Sequence, residues 1–476
     1  MLKLIPIFSV AVTATLVFIA VWTNRLTLPV HHDGEKAQLL SRCWQTLTCC
    51  VAASLVVGLA ANLLSGNLNS TPLNYAKHAL THLHTGTDSW QPMLDALHEL
   101  REHPGKSVYQ SIFFERGTKF QYPVSSLFLL DIPQSVLGLT DAQTIFFAQV
   151  LSRIAALALV LLTALLLIGA VDATTGAFSK QTKLTFSFWI VFASTVFASA
   201  LFFYPVVRSE FLGQLQTLIS LGAAAALLAW QRGRVSIAGL LVGICCALKP
   251  QWAVLVPWAI LRYQWRFAIY AIICAGSLLA LASLRYGVNN IFDYINVVAY
   301  IGQHGESFYS NQSINGLMNR LLFNGNNVEW LENSFPPFHP LVYGATVATS
   351  LLLIGFCLFW RREENPRTVD FAFAILLITV ASPVAWEHHY AVLLPIFAVA
   401  LPELLAVRPF ENWTIPLFGA AYLLTSVNLW DLTNLTASSY WNVLQSSLLF
   451  GALIVLTMLY RLISSRDSEP TIIERT

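Results

Sequence analysis

Apolar runs long enough to cross a lipid bilayer recur from one end of this sequence to the other. About 20 consecutive apolar residues let a helix span a hydrocarbon core of about 30 Å. The composition agrees, because 56% of the 476 residues are hydrophobic and only 11% are charged, against roughly 25% charged in soluble domains. The chain is therefore predicted to be an all-α, polytopic membrane protein, organised as a single domain over residues 1–476.

These runs predict about thirteen spanning helices. They lie at residues 4–22, 43–64, 143–169, 184–206, 212–230, 235–248, 251–262, 267–284, 340–360, 368–383, 389–406, 413–430 and 441–460. The runs at 235–248 and 251–262 are short and meet at Lys249-Pro250. They could form an abbreviated hairpin whose tip stops inside the membrane.

The distribution of lysine and arginine predicts the orientation of the chain. Short loops on one side collect basic residues, which places that side in the cytoplasm. These residues are Arg25, Lys36, Arg42, Lys180, Lys183, Arg232, Arg234, Arg262, Arg266, Arg361, Arg362, Arg367, Arg408, Arg461, Arg466 and Arg475. The outer side receives two long segments, about 65–142 and 285–339, together with the helix tips near Arg208, Lys249 and 382–389. We expect a multi-pass protein of the cytoplasmic (inner or plasma) membrane, with its N-terminus outside and its C-terminus in the cytoplasm.

The first outer segment contains more than a plain loop. Apolar residues follow one another at helical spacing between Asp88 and His103, while Asp95 and two glutamates lie off that face. This pattern predicts an amphipathic helix on the outer membrane surface. The stretch 121–138 is apolar but short, and an aspartate and a proline interrupt it. It is interpreted as an interfacial or re-entrant piece, and the pattern does not decide between spanning and re-entrant forms.

Polar groups are concentrated at the outer ends of the predicted helices, where a charge is costly unless it is used. Four clusters occur in chain order, and two carry specific patterns. The clusters are Asp88 to Pro123, Gly213-Gln214-Leu215-Gln216 with Leu248-Lys249-Pro250-Gln251, Asn311 to Arg320, and Ser382 to His389. The third reads Asn-Gln-Ser-x-x-Gly-x-x-x-Arg and the fourth reads Ser-Pro-x-x-Trp-x-His-His.

In this order, over roughly residues 88–395, the clusters resemble glycosyltransferase family 87. That family contains the polyprenol-phosphate-mannose-dependent α-1,2-mannosyltransferases of phosphatidylinositol mannoside assembly. The resemblance implies a GT-C membrane fold whose active site lies at the outer face, between the first long loop and the helix tips. The sequence departs from the family pattern at Tyr122-Pro123-Val124, where Tyr-Pro-Pro is usual. It also has an additional helix before the one that leads into the catalytic loop. The resemblance does not identify the acceptor, because many members of the family have no assigned substrate.

The resemblance makes Asp88 the candidate general base. Transfer of a sugar onto a hydroxyl needs a carboxylate that takes the proton of the acceptor as the anomeric bond breaks. Asp88 precedes Tyr109 by 21 residues, which matches the layout of the family. The alternative role is a helix N-cap, for which aspartate is favoured. Asp95 is the rival acid, and its position within the helix is typical of a solvated face.

Lys249, Arg320, His388 and His389 are the candidates for binding the donor phosphate. A departing lipid phosphate needs positive charge or hydrogen-bond donors, which lysine, arginine and imidazole supply. The alternatives are snorkelling of the two cations to lipid headgroups, and metal binding or simple interfacial hydrogen bonding for the histidines. Two adjacent histidines do not easily share one metal, and no third ligand lies nearby at the required spacing.

Polar and aromatic residues in the same clusters are candidates for sugar or acceptor contact, through paired amide groups or ring stacking. They are Tyr122, Gln214, Asn311, Gln312, Asn315, Trp386 and Glu387. Loop capping and ordinary enrichment of aromatic residues at membrane interfaces are the alternatives. No Asp-x-Asp or Glu-x-Asp pair occurs in the first long loop, and the seven cysteines lie in or beside apolar runs. Neither a bound metal nor a cofactor is therefore expected.

The predicted function is hexosyl transfer, with inversion, from a polyprenyl-phosphate donor to a glycolipid or glycan acceptor outside the cytoplasmic membrane. Mannose is the expected sugar, on the resemblance alone, and arabinose or glucose with the same chemistry is the first alternative. The second alternative is a lipid or solute transporter. A transporter would place ionisable groups near the bilayer midplane, often in two related halves. The expected partners are the two substrates and membrane lipids, and no basic stretch indicates nucleic acid.

Overall fold

A computed structural model of the protein describes residues 35–82, 84–175, 186–360, 362–406 and 413–464. The predicted helix at 4–22, both chain termini and several of the predicted inner basic residues lie outside this described part. Within it the chain is helical and forms no strand, and only Asn311 and Trp386 pair as an isolated antiparallel bridge. The predicted all-α fold class is confirmed.

Nineteen α-helices follow one another in the described residues. They are α1 (Glu35–Ser65), α2 (Pro72–Thr81), α3 (Trp90–Glu102), α4 (Phe128–Leu137), α5 (Asp141–Thr175), α6 (Phe186–Leu201), α7 (Tyr204–Leu212), α8 (Gln216–Gln231), α9 (Val235–Leu248), α10 (Leu255–Ile260), α11 (Trp265–Tyr286), α12 (Asn289–His304), α13 (Ile314–Leu321), α14 (Pro340–Phe359), α15 (Thr368–Val380), α16 (Leu393–Ala406), α17 (Thr414–Ser426), α18 (Trp430–Thr433) and α19 (Ser447–Ser464). Short 3₁₀ segments precede several of them, among them Pro250–Val254 before α10 and Glu387–Val392 before α16.

By length and composition, six helices of the described part can cross a membrane. These are Glu35–Ser65, Asp141–Thr175, Trp265–Tyr286, Pro340–Phe359, Glu387–Ala406 and Tyr440–Ser464. Helices α6 and α7 add a seventh if they form one span bent by 61°. The protein is thus a multi-pass membrane protein, but the predicted count of about thirteen spans is not confirmed.

Several of the predicted spans are short apolar helices in the structure. Helices α9, α15 and α17 have only 14, 13 and 13 residues. Nearly every residue of α15 is buried. An apolar run surrounded by other helices has the same hydropathy as a run surrounded by lipid, so composition cannot separate the two cases.

The abbreviated hairpin at Lys249-Pro250 is present. Helix α9 ends at Leu248, and Lys249 adopts an extended conformation with φ −152° and ψ 99°. A residue before proline is driven out of the helical region, and proline then suits the first turn of the next helical segment. At about 1.5 Å per residue, α9 is only about 21 Å long. Its end therefore brings Lys249 to the position of a hairpin tip.

The amphipathic helix predicted in the first outer segment is present as α3, and its place relative to the membrane stays a prediction. Trp90, Met93, Leu94 and Leu97 are all at most 2% exposed, because α3 packs against α4, α5 and the turns that join them. The buried residues include Glu99, which was expected on the solvated face and is paired with Arg116. The apolar face of α3 is therefore covered by protein.

The 121–138 piece forms a short turn at Val124–Leu127 followed by α4. Its aspartate, Asp131, is buried and accepts from Arg101 at 2.8 Å, from Arg285 at 3.0 Å and from Tyr286 at 2.9 Å. A buried carboxylate is tolerated when its charge is compensated in this way. These contacts attach α4 to the end of the spanning helix α11.

Candidate functional site

The loop that carries Asp88 lies against the turn that ends α7. The N–H of Asp88 donates to the carbonyl of Leu212 at 3.0 Å, and the N–H of Gly86 donates to that of Phe211 at 2.8 Å. Gly213 ends α7 with φ +70°, and a Cβ at this position would collide with the carbonyl of Gly86. Glycine is required here both for the left-handed backbone and for the close approach.

A hydrogen-bond network surrounds the Asp88 carboxylate. Gln214 donates to it through Nε2, and the Oε1 of the same amide accepts from Ser89 at 2.8 Å and from the Tyr122 hydroxyl at 3.2 Å. Asp88 is an exposed residue, but protein atoms crowd its carboxylate. This desolvation raises the pKa of Asp88, against the lowering effects of the Gln214 hydrogen bond and the Arg208 charge. A raised pKa is typical of a carboxylate that takes up a proton.

The N-cap alternative for Asp88 is not supported. The N-cap position of α3 is Ser89, whose side chain makes no capping bond. The Ser89 hydroxyl instead contacts Tyr122 at 2.8 Å and accepts from the N–H of Leu215 at 3.0 Å. The rival acid Asp95 accepts a hydrogen bond from Gln91 on an exposed face, as a solvated residue does.

Lys249 has no carboxylate among its hydrogen-bond partners. Its Nζ lies 2.7 Å from Nε2 of His389 and donates to Oε1 of Gln216 at 3.3 Å. Burial lowers the pKa of Lys249 to about 7. The N–H of Trp386 donates to Nδ1 of His389 at 3.1 Å, so the ring proton is assigned to Nε2. The Lys249–His389 contact is then a hydrogen bond from imidazole N–H to a neutral amine.

His388 lies beside this lysine and has unused hydrogen-bonding capacity. It is 4% exposed, and neither ring nitrogen has a partner in the described residues. The adjacent Glu387 is also buried and accepts from Nε of Arg208 at 3.2 Å. A buried polar side chain without a partner is costly. This one lies beside a lysine that lacks an anion.

Two amides two residues apart join the acidic and basic halves of the site. Gln214 donates to the Asp88 carboxylate, and Gln216 accepts from Nζ of Lys249. Arg208 lies on helix α7, and its charge acts to lower the pKa of Asp88. The same arginine pairs with Glu387, which precedes the two histidines. The carboxylate, the lysine and both histidines therefore belong to one connected polar site. The structure thus brings residues of the first, second and fourth sequence clusters together.

Aromatic residues extend the wall of this site. The Trp386 ring meets Trp330 edge-to-face, with centroids 5.1 Å apart. The ammonium of Lys119 lies 3.7 Å above the centroid of Trp330 and is paired with Glu306 at 2.8 Å. Trp386 is thus placed beside a ring that is partly open to solvent, which is compatible with sugar stacking.

The predicted sugar-binding amides Asn311 and Asn315 are fully buried. Asn311 accepts from the N–H of Ala385 at 3.0 Å and donates to the carbonyl of Glu306 at 2.8 Å. Asn315 accepts from the N–H of Glu306 and donates to Thr346, both at 3.1 Å. These contacts give both side chains a structural role, and no contact supports their prediction as sugar ligands.

Gln312 and Arg320 have similar internal partners. Gln312 donates to the carbonyls of Tyr309 and Gln445, both at 2.6 Å. Arg320 is 1% exposed and donates to backbone carbonyls and to Ser446 at 2.7 Å, and burial lowers its pKa to about 9. Neither residue contacts Lys249 or the histidines, so the structure does not bring Arg320 to the predicted phosphate site.

Sequence reasoning assigned no role to Ser89 or Gln216 and missed the full role of Arg208. Arg208 was noted only as a charge at a helix tip, although a charge within an apolar helix is itself a sign of function. Gln216 and Ser89 each adjoin a recognised residue but carry no distinctive pattern. In the described residues no three His, Cys, Asp or Glu side chains form a metal-binding group, and the absence of a metal stays a prediction.

Comparison with known proteins gives one family and one curated relative. The model of glycosyltransferase family 87 matches residues 120–383, more than half of the chain. A polyprenol-phosphate-mannose-dependent alpha-(1-2)-phosphatidylinositol pentamannoside mannosyltransferase from Mycobacterium tuberculosis (strain CDC 1551 / Oshkosh) is 25% identical over 256 residues. That alignment covers 53% of this chain and 55% of the relative, so the chain spans about half the length of the protein it matches.

Among solved structures, the crystal structure of ArnT from Cupriavidus metallidurans bound to undecaprenyl phosphate is similar over 85% of this chain and 77% of that one. The TM-score is 0.36 and the sequence identity is 11%. This likeness is distant.

Proposed function

Since the chain belongs to glycosyltransferase family 87, we propose that it transfers a hexose from a polyprenyl-phosphate donor to an acceptor hydroxyl, with mannose as the sugar. The carrier and the sugar are those named for the curated relative. The acceptor is a glycolipid or glycan, and the reaction takes place at the outer face of the cytoplasmic membrane.

The observation that carries this proposal is the Lys249–His388–His389 group beside Asp88. It presents a lysine without an anion and a buried imidazole without a partner. Both fit a phosphate group, which would accept hydrogen bonds from these side chains and hold Lys249 in its charged form. Gln214 and Gln216 would separate a phosphate at this position from the Asp88 carboxylate.

The proposed reaction is a single displacement with inversion. The acceptor oxygen attacks the anomeric carbon of the donor while Asp88 removes the hydroxyl proton. The bond between that carbon and the phosphate oxygen breaks, and polyprenyl phosphate leaves with the electron pair. Negative charge grows on the leaving group, so Lys249 and His388 stabilise the transition state more than the bound donor.

The supporting residues hold these groups in place. The Ser89 and Tyr122 hydroxyls hold the Gln214 amide in place. The same amide donates to the Asp88 carboxylate and fixes its position. Trp386 holds the ring of His389 through its backbone N–H and adjoins an exposed tryptophan against which a sugar can pack. The same site argues against the transporter alternative, because its ionisable groups lie at a hairpin tip and loop ends.

The activity is tested by incubating the purified, reconstituted protein with short-chain polyprenyl-phosphate mannose, glucose or arabinose and a membrane lipid extract. Mass spectrometry of the products should show a lipid or glycan gaining one mannose. Transfer of glucose or arabinose alone would change the sugar, and no transfer from any donor would reject the proposal. Lipid and glycan profiling of a deletion strain should then show the accumulated acceptor.

The sidedness is tested with single cysteines in a background that lacks the seven native ones. Glu332 and Arg232 are both exposed and lie on opposite faces under the proposed orientation. A cysteine replacing Glu332 should react with an impermeant thiol reagent in intact cells, and one replacing Arg232 should react only after lysis. Reaction at Arg232 alone would invert the orientation.

A further inference from the structure

A cavity of about 650 Å³ opens at the end of α9 that is opposite to Lys249. It is lined by residues 233–237, where α9 begins, and by residues 263–266, where α11 begins. Since α9 is about 21 Å long, this cavity is well separated from the Asp88 site.

Two arginines from different loops line the cavity. Arg234 and Arg266 are both exposed. In the described part of the chain, no hydrogen bond or ion pair is found for either guanidinium, and no carboxylate is among the lining residues. Two unpaired guanidiniums facing one cavity provide a binding site for an anion, and their planar donor groups suit phosphate oxygens.

The remaining wall is apolar and aromatic. Ile237, Tyr263 and Trp265 are 44%, 64% and 52% exposed. Trp265 is the first residue of the spanning helix α11, which places this rim at the level where a spanning helix leaves the bilayer. Aromatic residues of this kind sit at the headgroup level of a membrane. The combination of cations with an apolar rim fits a phosphate that carries acyl chains.

The backbone of one lining residue is held in an unusual conformation. Tyr263 has φ +57°, a left-handed conformation that is unfavourable for a bulky residue. Hydrogen bonds fix the turn: the N–H of Gln264 donates to Ala259 at 2.9 Å, and its side chain donates to the carbonyl of Glu364 at 2.6 Å. Backbone strain that the surroundings impose is concentrated at functional sites. Here it presents Tyr263 at the mouth of the cavity.

We propose that this cavity binds the headgroup phosphate of an anionic phospholipid in the leaflet opposite to the Asp88 site. The bound phosphate joins the loops that begin α9 and α11, two helices that pack along each other. The lipid thereby stabilises the hairpin whose far end carries Lys249. This site does not depend on the proposed transfer reaction.

The test uses the full-length protein purified in a neutral detergent, with added phosphatidylglycerol, phosphatidylcholine or inorganic phosphate. The probes are the thermal unfolding midpoint and native mass spectrometry of retained lipid. Phosphatidylglycerol should raise the midpoint and remain bound, and the other two should not. An equal effect of phosphatidylcholine would reject an anion site, and an equal effect of inorganic phosphate would reject the lipid.

The variants are R234Q and R266Q, singly and together, with R232Q as the matched control because Arg232 is exposed on the same loop but does not line the cavity. Removing both lining charges should weaken phosphatidylglycerol binding by about 30-fold, from about 1 kcal/mol per basic residue. R232Q should bind within a few-fold of wild type. Unchanged binding in the double variant, or an equal loss in R232Q, would overturn the proposal.

Discussion

Two polar regions lie next to each other in this protein and differ in one property. In the 311–320 loop, the amides of Asn311, Gln312 and Asn315 are buried and hydrogen-bonded within the protein. In the Lys249–His388–His389 group, the lysine lacks an anion and one imidazole has no partner. The two regions have a similar density of polar residues, so density alone does not mark a ligand site. What distinguishes the second region, within the described residues, is an imidazole with no partner at either nitrogen beside a lysine that lacks an anion.

The largest expected effect comes from removing the proposed base. Asp88→Asn should lower kcat by about 10²–10⁴-fold, the usual contribution of a general base, while the protein still inserts and folds. The matched control is Asp95→Asn, since Asp95 is only half-buried and its carboxylate accepts from Gln91. Steady-state kinetics of the reconstituted enzymes provide the measurement. Retention of more than about a tenth of the wild-type kcat would argue against Asp88 as the base, and a loss in the control alone would move the role to Asp95.

Alanine at Lys249 or His388 should lower kcat by about 10²-fold, the lower end of the effect of removing one preorganised donor, and should raise the KM for the donor. The KM for the acceptor should change little, because both groups face the leaving phosphate. Lys77→Ala is a suitable control, since Lys77 is an exposed lysine of the first outer segment. Varying donor and acceptor separately distinguishes the outcomes. If only the acceptor KM changed, these residues would belong to the acceptor side.

The pH dependence of donor affinity should follow Lys249. Its pKa in the free protein is about 7, so the ammonium is present below that pH and is lost above it, while the donor phosphodiester stays anionic. Affinity should therefore fall as pH rises from 6 to 8, by up to about tenfold for each pH unit above the pKa. Lys249→Arg keeps its charge over this range and should remove the dependence. An unchanged profile in that variant would assign the titration to another group.

The smallest effect on catalysis is expected in the satisfied region. Asn315→Ala leaves the buried N–H of Glu306 without its acceptor, at a cost of about 1–3 kcal/mol for a buried group left unpaired. The unfolding midpoint should fall, while kcat per folded molecule stays within a few-fold of wild type. Asn333→Ala, at an exposed position, is the control for stability. A large loss of kcat with an unchanged midpoint would make Asn315 a substrate ligand after all.

Much of the candidate site could be predicted from the sequence, because its residues lie at helix ends where apolar runs stop. Asp88, Gln214, Lys249 and the histidines were all identified there, and the structure brings them together. The partners of the 311–320 loop could not be predicted, since they are mostly backbone carbonyls and residues more than 30 positions away in the chain. The predicted number of spans is not confirmed, because several apolar helices are shorter than a full span. Hydropathy does not report whether a helix such as α15 faces lipid or protein.

The most direct test of the account is the affinity of wild-type and Lys249→Gln protein for polyprenyl phosphate that carries no sugar. This ligand lacks the sugar contacts and isolates the proposed phosphate site. Binding at pH 6 should be at least about tenfold weaker in the variant, since one charge-assisted contact is worth about 1.5–3 kcal/mol, while Asn315→Ala should bind as wild type does. Equal affinity of wild type and Lys249→Gln would contradict the claim that this unsatisfied group binds the donor phosphate.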